Sequence, residues 1–318
     1  MKNLLLILVG LFFVVISACE KKVDLTSENK ATVERWLELW NKGDLTIAEA
    51  IFSTEFISHI PQYPNITDLE SYKAEIVKTG TDIPDFHATL DDIIAEGDKV
   101  AGRFTAIGTM KPASVKYTNT WIVVFRFAED KIVEEWWQFD MLGVMQQMGT
   151  MPAMAEGPPG MRRSAPEDFI WGAPSKVTGD PGDPEANKAL VMREFNAWNQ
   201  GDRDTLMTVL DEIFAIDFVY HDPARPHVSD LTSYKRWAAE ECITPFPDLQ
   251  LPVEDIVAEG DKVAVRWTFS GTFTAINKQL IQTGTTIYRI ADGKVVEAWC
   301  ACDMLGIAQQ LGASSTPE

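Results

Sequence analysis

The chain has 318 residues and a formal net charge of −19 at pH 7, from 28 Lys and Arg against 47 Asp and Glu. Because phosphate binding needs clustered Lys and Arg, and no such cluster follows the first few residues, nucleic acid is excluded as an expected partner. An apolar content of 46% is ordinary for a globular protein.

The first 18 residues are predicted to be a signal peptide. Lys2 precedes an apolar run from Leu4 to Ile16 that would rise only about 20 Å as a helix, which is short for crossing a bilayer. The residues ending at Cys19, Ile-Ser-Ala-Cys, resemble the lipobox of bacterial lipoproteins. That resemblance implies lipidation of Cys19, a tether over residues 19–25, and a place on the periplasmic side of the cell envelope.

Two alternatives stay open for this segment: an ordinary signal peptide with an incidental cysteine, and an uncleaved anchor. In Gram-negative lipoproteins an Asp after the lipidated Cys tends to hold the protein at the inner membrane. Glu20 stands there instead, which slightly favours the outer membrane.

A first domain is predicted over residues 26–150, and it begins with helices. Val33, Leu37 and Trp40 have the i, i+4, i+7 spacing of one helix face, and Gly43 follows as a left-handed cap. A second short helix ends near Phe52. A short strand over 56–59 and a third helix, with Asp68 as its N-cap, come next.

The rest of this domain is predicted to be strands and one closing helix. Glu96-Gly97-Asp98 and Glu129-Asp130 mark tight turns. The predicted strands cover 85–95, 99–109, 118–127 and 131–139, and the closing helix covers 141–148. Helices followed by an antiparallel meander indicate the α+β class.

Residues 151–183 are predicted to be a linker, because they contain six Pro and five Gly and such a composition rarely supports regular structure. Three large apolar residues, Phe169, Ile170 and Trp171, interrupt it. We expect them to dock on one of the domains rather than to remain in water.

A second domain is predicted over residues 184–313, because the first is repeated. Ile93–Ala101 returns as Ile256–Ala264, an offset of 163 residues (256 minus 93), and Glu134–Gly143 returns as Glu297–Gly306 at the same offset. Self-similarity at a fixed spacing indicates a duplicated unit. We expect the two copies to pair within one chain as an internal pseudo-dimer, so that the protein is a monomer.

Three cysteines, Cys242, Cys300 and Cys302, lie in the second copy only. We expect buried free thiols that act as small apolar side chains. A bridge from Cys242 to one of the other two is the alternative, and a zinc site would need more ligands than the sequence shows. The thiols, His87 and His227 do not match between the copies and are therefore not expected in a shared site.

The motifs of the second copy point to a family. They are Asn199-x-Gly201-Asp202, His221-Asp222-Pro223, Phe246-Pro247-Asp248, Arg266-Trp267 and Asp303-x-Leu305-Gly306. This set resembles the SnoaL-like polyketide cyclases of the nuclear transport factor two-like superfamily. The resemblance implies two tandem cone-shaped domains, each a curved, antiparallel-rich sheet with three to four helices around a pocket. The first copy departs from the pattern, with His59-Ile60-Pro61 in place of His-Asp-Pro.

The resemblance implies that an Asp at the end of the last strand is the acid–base group of an aldol ring closure without cofactor or metal. The matching positions are Asp303 and Asp140. A carboxyl group in an apolar cone would have a raised pKa, which suits proton exchange near neutral pH. The alternative is that each Asp is only the N-cap of the closing helix.

Further pocket candidates lie at matching positions of the two copies. His221 and His59 could hold a substrate oxygen or be satisfied by the backbone. Arg266 shares a strand face with Ala264 and Thr268, and it could bind a substrate oxygen or pair with a Glu. The candidates at matching positions are His221 and His59, Arg266 and Arg103, and Trp299 and Trp136, with Glu297 and Glu134 as expected partners of the arginines.

Two aromatic residues of the first copy, Tyr117 and Trp121, have no aromatic equals at Leu280 and Gly284. If they face the pocket, the two pockets differ in shape. Together these features predict pockets for small apolar molecules, with cyclase, isomerase or hydrolase chemistry by an Asp acid–base. A non-catalytic ligand-binding protein or interaction scaffold is the alternative, because fold alone does not separate the two.

Overall fold

The computed structural model describes residues 25–111, 114–150, 171 and 175–312. The predicted signal peptide, Cys19, Phe169 and Ile170 lie outside these residues. Within the described part of the chain, no helix is both long and apolar enough to cross a membrane.

Each domain has the same order of elements, and each closes with a short helix. In domain 1 these are α1 (Leu25–Lys42), α2 (Leu45–Ile51), β1 (Phe52–His59), α3 (Leu69–Asp82), β2 (His87–Glu96), β3 (Lys99–Met110), β4 (Val115–Ala128), β5 (Lys131–Phe139) and α4 (Met141–Gln147). In domain 2 they are α5 (Pro184–Gln200), α6 (Arg203–Ile213), β6 (Phe214–His221), α7 (Leu231–Trp237) with a π-helical segment (Ala238–Ile243), β7 (Val253–Glu259), β8 (Lys262–Phe273), β9 (Lys278–Ala291), β10 (Lys294–Cys302) and α8 (Met304–Gln310).

Local sequence explains where the helices begin and end. The buried face of α1 contains Val33, Trp36 and Leu39, a stripe rotated slightly from the predicted one. Asp68 accepts a hydrogen bond from the backbone N–H of Ser71 at 2.8 Å and completes a capping box. The first helix of each domain is followed by a glycine with positive φ, +65° at Gly43 and +68° at Gly201, where a side chain would be strained.

Each domain contains one five-stranded sheet, with strand order β1-β5-β4-β3-β2 or β6-β10-β9-β8-β7. The first strand runs parallel to the last one, and the other neighbours are antiparallel. This is the predicted α+β architecture. The helices pack on the inner face of each sheet, where Phe104 and Phe125 of domain 1 and Val265 and Tyr288 of domain 2 are buried.

The outer faces of the two sheets pack against each other. One apolar cluster contains residues of both domains, among them Ala101 and Val124 of the first and Ala264, Ile287 and Trp299 of the second. Because strand residues alternate between faces, the neighbours of these residues point to the domain interiors. The copies thus form the expected internal pseudo-dimer.

Polar contacts across this interface occur in reciprocal pairs. Lys30 binds Glu259 at 2.5 Å, and its counterpart Lys188 binds Glu96 at 2.6 Å. The same two carboxylates accept hydrogen bonds from the backbone N–H of Ala95 at 2.8 Å and of Ala258 at 2.9 Å. Such exchange of equivalent contacts is typical of a two-fold, isologous interface.

The described part of the linker contacts both domains. Trp171 is buried, and its indole N–H donates to the backbone carbonyl of Phe104 at 3.0 Å. The backbone N–H of Ser175 donates to Glu297 at 2.7 Å, and Arg289 donates to the carbonyl of Val177 at 2.8 Å. The linker therefore docks through Trp171, as expected for that residue, and holds the domains together.

Candidate functional site

A cavity lies between the helices and the inner face of the sheet in each domain. Its volume is about 110 Å³ in domain 2 and about 140 Å³ in domain 1. One water-sized sphere needs about 10–15 Å³ by this measure, so each cavity has room for a small ring compound. The walls are mainly apolar and aromatic, as expected for ligand cavities.

Three candidates of domain 2 do not line its cavity. His221, Arg266 and Trp299 lie on the outer face of the sheet, at the domain interface. The ring of Trp299 stacks on His221, whose Nε2 lies 2.9 Å from an oxygen of Glu297. Arg266 donates two hydrogen bonds to Asp255, at 2.6 and 2.9 Å, rather than to the expected Glu.

The counterparts in domain 1 have the same placement. His59 stacks on Trp136 and contacts Glu134 at 2.8 Å. Arg103 is buried, with its guanidinium carbon 4.5 Å from the ring centre of Trp299 in the other domain. Reciprocally, Arg266 of domain 2 lies 4.5 Å from the ring centre of Trp136. The expectation that these residues line the cavity of their domain was wrong, because they lie on the outer face of the sheet, where the two copies pack against each other.

Asp303 and Asp140 are helix N-caps in the structure. Asp303 accepts hydrogen bonds from the backbone N–H of Gly306 and from the side chain of Gln62 in the other domain, both at 2.8 Å. Asp140 accepts one from Gly143 at 2.9 Å. Neither residue lines either of the two cavities described above, so the geometry agrees with the alternative interpretation of both aspartates.

One aromatic candidate of domain 1 does line its cavity. Trp121 contributes to the wall, and its counterpart in domain 2 is Gly284, where a Cβ would lie 2.2 Å from the Trp267 ring. The space of the Trp121 ring is therefore occupied by another aromatic ring in domain 2. The side chain of Tyr117 lies outside the described part of the structure.

The cavity of domain 2 contains a buried carboxyl group on α5. Glu194 is 1% exposed, and its Oε1 accepts hydrogen bonds from the hydroxyl of Tyr234 at 2.6 Å and the indole of Trp198 at 3.3 Å. Its Oε2 accepts no hydrogen bond from the residues that the structure describes. Burial raises the pKa of Glu194 above its ordinary value, although interactions with Tyr234, Trp198 and the nearby Tyr288 hydroxyl oppose this shift.

A buried ion pair lies at another part of the same wall, just after β6. Arg225 donates from Nη1 to Oδ2 of Asp222 at 2.5 Å, and the other oxygen of Asp222 accepts the backbone N–H of Ala224 at 2.8 Å. Burial works to lower the pKa of Arg225, but the charge of Asp222 and the nearby thiols and Tyr220 hydroxyl together raise it well above its ordinary value. Arg225 therefore remains a cation inside the domain.

The cysteines of the described residues form no disulfide, and two of them, Cys242 and Cys300, line this cavity. The cysteines had been excluded from the site because they have no match in the first copy. That exclusion was wrong for Cys242 and Cys300, because the cavities of the two domains are lined by different side chains. Ligand atoms of Asp222, Cys300 and Cys302 lie within 4.8 Å of one another. The Arg225 guanidinium, 3.5 Å from the Cys302 sulfur, already places a positive charge there, so the group fits a metal cation poorly.

The family model of the SnoaL-like polyketide cyclases matches residues 30–148 and 189–311. The chain belongs to this family. Both SnoaL-like regions coincide with the two observed sheets and their helices. Among curated proteins none matches the chain.

Solved structures similar to this SnoaL-like protein each correspond to about one of its domains. IdmH from Streptomyces antibioticus is 26% identical, and the match covers 38% of this chain and 98% of that one with a TM-score of 0.34. TsrD from Streptomyces laurentii is 24% identical, with 39% and 97% covered and a TM-score of 0.36. A SnoaL-like polyketide cyclase from Agrobacterium tumefaciens is 18% identical, with 38% and 98% covered and a TM-score of 0.34.

The two SnoaL-like domains place their buried carboxyl on different elements. Glu194 of α5 corresponds to Trp36 of α1, by the offset of 158 that relates Asn187 to Asn29. In domain 1 the carboxyl is Glu135 of β5, whose counterpart in domain 2 is Ala298. The carboxyl approaches equivalent tyrosines, Tyr234 in domain 2 and Tyr72 in domain 1.

Glu135 is fully enclosed and does not line the domain 1 cavity. Its Oε1 accepts hydrogen bonds from the indole of Trp137 at 2.6 Å and the hydroxyl of Ser58 at 2.8 Å, and Tyr72 lies 3.5 Å from Oε2. Burial raises the pKa of Glu135 to about 8. This carboxyl is a structural group, whereas Glu194 of this SnoaL-like protein lines the cavity of its domain.

Some of the residues that sequence reasoning missed had a detectable signal. Glu194 lies on the buried helix face between Val191 and Trp198, where a carboxylate is unexpected. Asp222 follows Tyr220 by two residues and therefore points inward, opposite to His221. Arg225 follows in an irregular Pro-flanked turn, and no periodic pattern predicts the direction of its side chain.

Proposed function

We propose that domain 2 binds a small, largely apolar molecule and that Glu194 exchanges a proton with it. One observation carries this proposal. Glu194 is a buried carboxyl in the wall of an aromatic cavity, and its Oε2 accepts no hydrogen bond of ordinary length from the described residues. Polar groups placed in an otherwise apolar cavity usually fix the orientation of a ligand.

The environment of Glu194 suits acid–base chemistry. A raised pKa favours the protonated carboxyl, which can donate to a carbonyl oxygen and then accept a proton from carbon. Tyr234 and Trp198 donate to Oε1, so the fold fixes the orientation of the carboxyl group. Cyclisation and isomerisation of carbonyl compounds both depend on proton transfers of this kind.

Binding can be tested with toluene as an apolar probe and two cavity-filling variants of the full chain. Ile307 of α8 and Val144 of α4 are equivalent positions (307 minus 144 is 163), and each lines the cavity of its own domain. Ile307→Trp should abolish the toluene binding seen by ligand-detected NMR, whereas Val144→Trp should retain binding by domain 2. No toluene binding to the wild type, or binding unaffected by Ile307→Trp, would overturn the proposal.

Proton exchange can be tested with acetophenone in D₂O, by following deuterium entry into its methyl group by NMR. Glu194→Gln keeps an oxygen that can accept from Tyr234 and Trp198, but it cannot transfer a proton. The enzyme-dependent exchange rate should fall about 100-fold or more, the usual contribution of a general acid–base group. An unchanged rate would remove Glu194 from the chemistry and leave a binding protein.

We also propose that the chain is a lipid-anchored envelope protein, attached through Cys19. The proposal rests on the apolar run from Leu4 to Ile16 and the lipobox-like sequence that follows it. Cells expressing the full chain should incorporate an alkyne-labelled fatty acid, and Cys19→Ala should abolish labelling. Equal labelling of Cys242→Ala and the wild type provides the matched cysteine control.

A further inference from the structure

The Arg225 guanidinium has an unusual set of neighbours for a buried cation. The residue is only 7% exposed, and among the described residues its carboxylate partner is Asp222. The Trp237 ring lies beside it, with its centre 4.9 Å from the guanidinium carbon. Asp222 and Trp237 therefore hold the guanidinium at one place in the cavity wall.

Several donors of Arg225 have weak partners or none. Its Nε has no hydrogen-bond partner among the described residues. Beyond Asp222, Nη1 meets the sulfur of Cys302 and Nη2 meets the sulfur of Met304, both at 3.5 Å. Sulfur is a weak acceptor, and an unsatisfied buried donor is costly. An oxygen on a bound molecule would relieve this deficit.

The charges around Arg225 decide whether a charged or a neutral oxygen of a ligand can bind there. Asp222 is fully buried and already neutralises Arg225. Glu241 also lines the cavity, and its Oε2 has no hydrogen-bond partner within the described structure. A carboxylate ligand would place further negative charge beside Asp222 in an apolar space, which is unfavourable. A neutral carbonyl oxygen accepts from Arg225 without that penalty.

We propose that Arg225, fixed by Asp222, is a specificity-determining residue that selects ligands with a neutral carbonyl oxygen and rejects carboxylates. The ligand class is thus an apolar ketone or ester, with its oxygen at Arg225 and its ring among the aromatic side chains. This inference rests on the proposed binding function of domain 2 and adds its chemical selectivity.

Three ligands of similar size test the inference on the full chain: acetophenone, its hydrocarbon analogue α-methylstyrene, and benzoate. Dissociation constants are measured by ligand-detected NMR for the wild type and for Asp222→Asn/Arg225→Met, which removes both charges and leaves none buried alone. Arg236→Met, at an exposed arginine on the neighbouring helix, is the matched control. Folding of each variant is checked by circular dichroism.

In the double variant the preference for acetophenone over α-methylstyrene should fall about 10-fold, because a hydrogen bond to a charged donor is lost. In Arg236→Met this preference should stay unchanged. In the wild type, benzoate should bind at least about 10-fold more weakly than acetophenone. Benzoate binding as tightly as acetophenone would overturn the inference from wild-type data alone, as would an unchanged preference in the folded double variant. Tight toluene binding with no carbonyl preference would overturn this inference while leaving the proposed binding function intact.

Discussion

Glu135→Gln should make the stability of domain 1 less dependent on pH. The wild-type carboxyl is fully buried and has a pKa of about 8 against an ordinary value of 4.5. Between these values the folded state holds a proton that the unfolded state releases. The stabilising effect of the neutral form is therefore complete below pH 4.5 and is lost as pH rises through 8.

The size of the effect follows from the pKa difference. A shift of 3.5 units (8 minus 4.5) at 1.36 kcal/mol per unit corresponds to about 5 kcal/mol in total. About 4 kcal/mol of this should fall between pH 5 and 9. Gln keeps the shape and an oxygen for Trp137 and Ser58 but has no proton to lose. The unfolding free energy of the variant minus that of the wild type should therefore rise by about 4 kcal/mol over this range.

The assay is urea unfolding of the full chain followed by tryptophan fluorescence at pH 5, 6, 7, 8 and 9. Other titrating groups, including Glu194, are common to both proteins, so they cancel in the difference. Glu55→Gln, at an exposed position of β1, should follow the wild type at every pH. A difference between Glu135→Gln and the wild type that does not change with pH would refute the assignment of a raised pKa to this carboxyl.

Three further predictions concern the caps and the interface. Asp303→Ala should lower the unfolding free energy by about 1 kcal/mol, the usual contribution of an N-cap. The toluene affinity measured by NMR should not change, and a large loss of affinity would place Asp303 in the binding site. Glu96→Gln and Glu259→Gln should lower the melting temperature by similar amounts in calorimetry, because their contacts are reciprocal; a loss in only one variant would contradict the two-fold arrangement. Trp171→Ala should cost about 3–5 kcal/mol of unfolding free energy in urea titrations, and a change near zero would show that the linker does not hold the domains.

Local features of the chain were predictable because they depend on neighbouring residues. Asp68 was expected as an N-cap, and both it and its counterpart Asp230 form capping boxes with a serine three residues later. The Gly after the first helix of each domain has the expected positive φ. Capping and turn chemistry involve atoms within a few residues, so the sequence contains all the information they need.

Strand alternation predicted which residues share a face but not what covers that face. Arg266 and Ala264 do lie together, opposite to Val265 and Trp267. The expectation failed at the next step, since the shared face was taken as the pocket wall. A sheet with one solvent-exposed face shows an alternation of apolar and polar residues. Here the outer faces of the two sheets pack against each other, so both faces of each sheet carry large apolar side chains.

The sequence by itself determined that one α+β domain is present twice, the order of most of its elements, and that the copies resemble SnoaL-like cyclases, although β1 begins at Phe52 rather than at residue 56. Only the tertiary structure decided that the Arg and Trp candidates shared by both copies contact each other across the domain interface. It also decided that the polar groups of the cavity, Glu194 and Arg225, belong to domain 2 alone. The physical reason is that a cavity wall is assembled from helices, strand and loop far apart in the chain, so the direction of each side chain depends on packing that no local pattern encodes.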